Sequence, residues 1–66
     1  MNWDTIKGSW KKMQGEAKSQ WGKLTDDDLT RIEGDRDKLV GALQQQYGKS
    51  KDEAEREVEA WQNRLG

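Results

Sequence analysis

Serine, lysine and carboxylate side chains are the main reagents this chain offers, because its 66 residues include no His and no Cys. A serine hydroxyl is a poor nucleophile unless a base activates it. Ser9, Ser19 and Ser50 have no imidazole to do so. Ser19 and Lys23 have the spacing of a Ser–Lys pair, but a lysine four positions along a helix surface is ordinary. The carboxylates cluster most densely at Asp26-Asp27-Asp28. A divalent cation needs several convergent oxygens, whereas consecutive helix positions point about 100° apart. These acids suit the positive first turn of a helix. No catalytic residue, metal site or cofactor is expected, and the chain is not expected to be an enzyme.

Lysine offers a second kind of chemistry. Lys7, Lys11 and Lys18 are spaced 4 and 7 and form one flank of a helix, with Lys12 and Lys23 nearby. Such a flank can touch phosphates of nucleic acid or anionic lipid. However, it contains no Arg, and the whole chain is acidic with pI ≈ 5.3. A nucleic-acid binder would carry a basic footprint, so nucleic acid is not the expected partner and a solvated lysine face is. Charge is nonetheless uneven. Residues 1–25 hold five Lys against Asp4 and Glu16, while residues 26–66 hold seven basic and eleven acidic residues. This asymmetry either steers a partner or pairs the two halves of the chain.

The elements that position these groups follow from apolar spacing. Trp3, Ile6, Trp10, Met13, Ala17 and Trp21 make one helical stripe. Asn2 or Asp4 can cap its start, and Gly22 suits a left-handed stop. Thr25 followed by three Asp is a strong helix start, with Leu29 and Ile32 as the apolar face. Gly34 ends or kinks that helix, and Asp35 restarts the chain as an N-cap. Leu39, Val40, Leu43 and Tyr47 form the next stripe, stopped at Gly48. Ser50 and Glu53 make a capping box in which Glu53 reaches the Ser50 N–H. Ala54, Val58, Trp61 and Leu65 form the last stripe. Four helices are therefore predicted, at about 3–21, 26–33, 35–47 and 51–64, with no strand.

A repeat overlies this pattern. Gly8, Gly15 and Gly22 are seven residues apart, as are Gly34, Gly41 and Gly48, 26 residues later. At that offset Trp21-Gly22-Lys23 falls on Tyr47-Gly48-Lys49. The repeat predicts a pseudo-symmetric pair of αα-hairpins in an all-α fold, within a single domain over residues 1–66. Gly8, Gly15 and Gly41 either allow close helix approach or keep a hydrophilic chain flexible. The Trp stripe is expected to be core, since so small a domain cannot leave its largest apolar groups outside. Trp10 is the exception. Its repeat mate is Arg36, which predicts a partly exposed ring, so Lys7, Trp10, Lys11 and Lys18 are the candidate interaction surface.

Composition predicts a weak fold. Leu, Ile and Val total nine, there is no Phe, and 38% of residues are charged. Four Trp partly compensate, each able to bury about 150–250 Å². The N-terminus lacks the apolar run of a signal peptide, and no stretch approaches the roughly 18 apolar residues of a membrane span. A cytoplasmic protein, as monomer or weak homodimer, is expected.

Several runs together resemble the CsbD-like family of small bacterial proteins. They are Gly8-Ser9-Trp10, Gly15, Trp21-Gly22-Lys23-Leu24-Thr25-Asp26-Asp27-Asp28, Ile32-Glu33-Gly34, Leu39-Val40-Gly41, Gln44-Gln45-Gln46-Tyr47-Gly48 and Lys51-Asp52-Glu53-Ala54-Glu55. The resemblance covers nearly the whole chain. It implies four short helices as two hairpins packed roughly crosswise, similar to a SAM-domain-like arrangement. It also implies a general stress-response protein without known catalytic or cofactor residues. The seven Gly and mean hydropathy of −1.33 are similar to those of hydrophilins, proteins linked to tolerance of water deficit.

Overall fold

The computed structural model describes residues 2–65. Among them the chain forms five helices and no strand: α1 (Trp3–Gly8), α2 (Trp10–Gln20), α3 (Asp26–Ile32), α4 (Arg36–Tyr47) and α5 (Lys51–Leu65). The predicted first helix is thus two. Ser9, at φ −114° and ψ 30°, interrupts it. Gly8 precedes the break, and glycine has the weakest helix preference of any residue but proline. The Ser9 N–H donates to both the Thr5 and Ile6 carbonyls, at 3.1 and 3.2 Å. This tightened turn keeps the stripe in register across the break, so Ile6, Trp10, Met13, Ala17 and Trp21 are all buried.

The caps follow the side chains that predict them. Asn2 accepts from the Thr5 N–H at 2.9 Å. Thr25 and Asp28 form a reciprocal capping box, both bonds at 3.1 Å. Asp35 accepts from the Lys38 N–H, and Ser50 Oγ accepts from the Glu53 N–H. Glu53 differs from expectation, since its carboxylate takes the Ser50 hydroxyl rather than the backbone N–H. Gly48 is left-handed at φ 64° and stops α4. Gly22 is not left-handed, which corrects its predicted role. Helix α2 instead closes through Trp21, whose N–H donates to the Ala17 carbonyl at 2.8 Å.

One cluster of buried residues draws on every helix and on the 21–25 segment. Leu24, in that segment, is fully buried. Helix α4 packs on α5, and α2 on α3. Between α3 and α4 the chain makes two consecutive left-handed residues, Glu33 (φ 53°) and Gly34 (φ 77°). A Cβ added at Gly34 would lie 3.0 Å from the Cα of Lys7, so α1 rests directly on this turn. Trp3 secures the contact, its indole N–H donating to the Gly34 carbonyl at 2.8 Å.

Candidate functional site

The four residues of the expected interaction surface do not share one environment. Trp10 is buried, 7% exposed, which corrects the expectation of a partly exposed ring. Its indole N–H donates to the Leu29 carbonyl at 2.8 Å. That carbonyl lies in the last turn of α3, where carbonyls lack helical partners. Trp10 therefore caps a neighbouring helix and fills the core beneath it. Lys7, Lys11 and Lys18 are exposed. Lys18 bridges to Asp26 at 2.8 Å, with the two side chains 50% and 85% exposed. An ion pair that open to water contributes at most about 1 kcal/mol. Lys7 presses its stem toward Gly34.

A denser set of polar contacts forms where the two aromatic-Gly-Lys segments of the repeat meet α5. The Trp21 indole N–H donates to Glu57 Oε1 at 3.1 Å. The other carboxylate oxygen of Glu57 pairs with the Lys49 ammonium. The Lys23 backbone N–H donates to the Tyr47 hydroxyl at 3.1 Å. Lys23 and Lys49 lie 5.1 and 5.8 Å from the centre of the Tyr47 ring, within cation–π range. Beneath them Trp21 meets Trp61 edge to face at 5.2 Å, and Trp61 meets Trp3 at 6.1 Å. The Lys49 hydrogen bond, with a smaller contribution from the Trp21 indole, holds the Glu57 carboxyl below its ordinary pKa against the opposing effect of burial. The same bond to Glu57 raises Lys49. The repeat of Trp21-Gly22-Lys23 at Tyr47-Gly48-Lys49 was the available signal for this junction. Glu57 lies outside both copies, so periodicity could not reveal it.

A shallow open groove of about 370 Å³ lies between α3 and α4, lined by Asp28, Arg31, Ile32, Lys38, Gly41 and Ala42, among others. Its lining offers cations and a carboxylate but no hydroxyl or thiol. Asp28 is already engaged by the Thr25 N–H and by Arg31 at 3.4 Å. Among the described residues no group of three or more acidic, His or Cys side chains is placed to hold a metal ion. No helix among them is long and apolar enough to cross a membrane.

The surface glycines resolve one open question. A Cβ at Gly8, Gly15 or Gly41 would meet nothing within 4 Å, and all three are exposed. They do not serve close helix approach.

Comparison with known proteins places this arrangement in a family. The family model described as CsbD-like matches residues 4–56. The UPF0337 protein YjbJ of Escherichia coli strain K12 is 58% identical over 64 residues, covering 97% of this chain and 93% of that protein. The UPF0337 protein ECA0631 of Pectobacterium atrosepticum is 59% identical over 63 residues, 96% of this chain and 91% of that protein. The UPF0337 protein Atu4724 of Agrobacterium fabrum is 53% identical over 66 residues, 100% of this chain and 98% of that protein. A match across most of the helical body, with relatives of nearly the same length, makes this chain a member of the CsbD-like family.

Proposed function

We propose that this protein is a non-enzymatic, hydrophilin-like general stress-response protein of the bacterial cytoplasm, which protects other macromolecules when water or temperature is limiting. The observation that carries the proposal is the set of surface glycines. Gly8, Gly15 and Gly41 sit in helices, and each weakens its helix by about 0.5–1 kcal/mol relative to Ala. None is required by packing. A chain with nine aliphatic branched residues and 38% charge gains little from such positions except looseness. A weakly held, highly charged chain can spread over the surfaces of other molecules without a specific binding site. Membership of the CsbD-like family supports the stress assignment. The lack of His and Cys supports a non-catalytic role. Within this proposal the chain is a single domain, and the 26-residue repeat reads as two pseudo-symmetric αα-hairpins, packed roughly crosswise in a SAM-domain-like way.

The test is survival of a deletion strain through drying, freezing and high salt, with and without the gene restored. The strain is expected to lose viability and recover it on complementation. Unchanged survival under all three stresses would remove the proposal. The alternative, a specific binding module, retains Lys7, Lys11 and Lys18 as its surface, but Trp10 has no free face with which to anchor a partner.

A further inference from the structure

Apolar spacing predicts a single helix over 3–21, and the fold breaks it at one residue. Ser9 stands at φ −114° and ψ 30°, roughly 50° and 70° away from a helical residue. Its side chain makes no cap for α2. Among the described residues only the Ser9 N–H carries backbone hydrogen bonds back into α1. A continuous helix would also pair the N–H groups of Trp10 and Lys11 with the carbonyls of Ile6 and Lys7. The break therefore forfeits local hydrogen bonds, and it is held by the tertiary contacts of α1. Ile6 is fully buried. The Trp3 indole N–H donates to the Gly34 carbonyl at 2.8 Å, and the Trp3 ring meets Trp61 at 6.1 Å. Lys7 lies directly against Gly34. Two arrangements of the same residues thus compete. The bent one docks α1 on its own body, and the straight one completes the helix.

We infer that α1 is an exchangeable arm: straightened at Ser9, it docks in the α1 site of a second copy of this chain, giving a reciprocally swapped dimer. A second copy is the occupant because the site is shaped for α1 itself. It offers the Gly34 carbonyl to an indole N–H, a core position filled by Ile6, and a surface at Gly34 so close to Lys7 that an added Cβ would lie 3.0 Å from the Lys7 Cα. Each copy supplies both an arm and a site, so the contact is isologous and closes on two chains. The spacing of Trp3, Ile6, Trp10 and Met13 keeps one apolar stripe whether the helix is bent or continuous. A swapped dimer keeps the contacts α1 makes in the monomer and gains the missing helical hydrogen bonds at two hinges, which offset part of the entropy lost on association. A straight arm on a lone chain would leave Trp3 and Ile6 in water, so exchange is favoured by high protein concentration. This exchange stands independently of the protectant proposal.

The test is size-exclusion chromatography with light scattering on the full chain, refolded from urea at low and at high protein concentration, with circular dichroism confirming the fold of each variant. Ser9→Ala and Ser9→Gly bracket the hinge, because residue 9 is helical only in the straight form. Alanine favours a helix over glycine by about fivefold, so two hinges separate the dimerisation constants of the variants by roughly thirtyfold. The expected order of dimer content at high concentration is Ser9→Ala above wild type above Ser9→Gly. In a mixed dimer of isotope-labelled and unlabelled Ser9→Ala chains, NMR is expected to place the Trp3 indole proton of one chain beside Gly34 of the other. Absence of a Ser9→Ala dimer at high concentration would overturn the inference. So would equal dimer content in the two variants, or a dimer in which the contact between Trp3 and Gly34 stays within one chain.

Discussion

The two glycine heptads have the same spacing and different physics. Gly34 is buried and left-handed, pressed against the backbone of Lys7. Gly8, its mate in the first heptad, is a helical surface residue with open space where a side chain would be. Gly48 is left-handed and stops α4, whereas Gly22 has no left-handed conformation and α2 closes through Trp21. Gly15 and Gly41 are alike, both exposed and unconstrained by neighbours. A repeat in sequence therefore fixes where glycines fall but not what they do. Gly34 is a point of close approach, Gly48 is a helix stop, Gly22 lies between helices with neither role, and Gly8, Gly15 and Gly41 weaken helices without serving packing.

Substitutions sharpen this comparison, and the largest effect tests the aromatic side of the repeat. Trp10 and Arg36 share a repeat position, yet Trp10 is core. Trp10→Ala is expected to lose about 3–5 kcal/mol, enough to unfold much of so small a protein, as read by urea denaturation. Arg36→Ala should change stability by less than about 1 kcal/mol, since its pair with Glu55 is long at 4.0 Å. Equal effects would mean that the two positions are equivalent after all. Next comes Gly34→Ala, expected to destabilise by about 2 kcal/mol or more, because it combines a left-handed backbone with contact against Lys7. Gly48→Ala keeps only the conformational strain and should lower stability by about 1 kcal/mol. Gly15→Ala and Gly41→Ala reverse the sign. Each is expected to raise stability by about 0.5–1 kcal/mol in the same denaturation experiment.

Glu57 gives a pH signature of the junction. Its folded pKa is lowered, chiefly by the Lys49 hydrogen bond. The stability it contributes is therefore fully present above the unfolded glutamate pKa, about 4.3, and is lost as pH falls through the lower folded value. Glu57→Gln should reduce the thermal midpoint at neutral pH, and its difference from wild type should shrink below about pH 4. A difference that stays constant with pH would mean that the carboxylate charge plays no part.

Elements whose cause is local were legible in the sequence. The apolar stripe shared by α1 and α2, the stripes of α4 and α5, the Thr25 box and the Gly48 stop all depend on residues within a few positions of one another. The burial of Trp10 was not legible, because the repeat supplied Arg36 as a guide and the real partner is a carbonyl of α3. Leu24 was missed for a related reason, since a lone leucine between helices has no period to reveal its fully buried position. The break at Ser9 leaves the stripe intact, so apolar spacing carried no trace of it. The Glu57 junction joins the ends of α2, α4 and the middle of α5, and only tertiary structure brings these together.

The central claim is that the idle surface glycines keep the fold loose and that looseness serves protection. The most direct test is recovery of a labile reporter enzyme after freeze–thaw and drying, with equal masses of wild type and of the G8A/G15A/G41A variant. The account predicts that the variant melts at a higher temperature and protects less well. A variant that is more stable and equally protective would contradict it, as would a wild type no better than an inert globular protein.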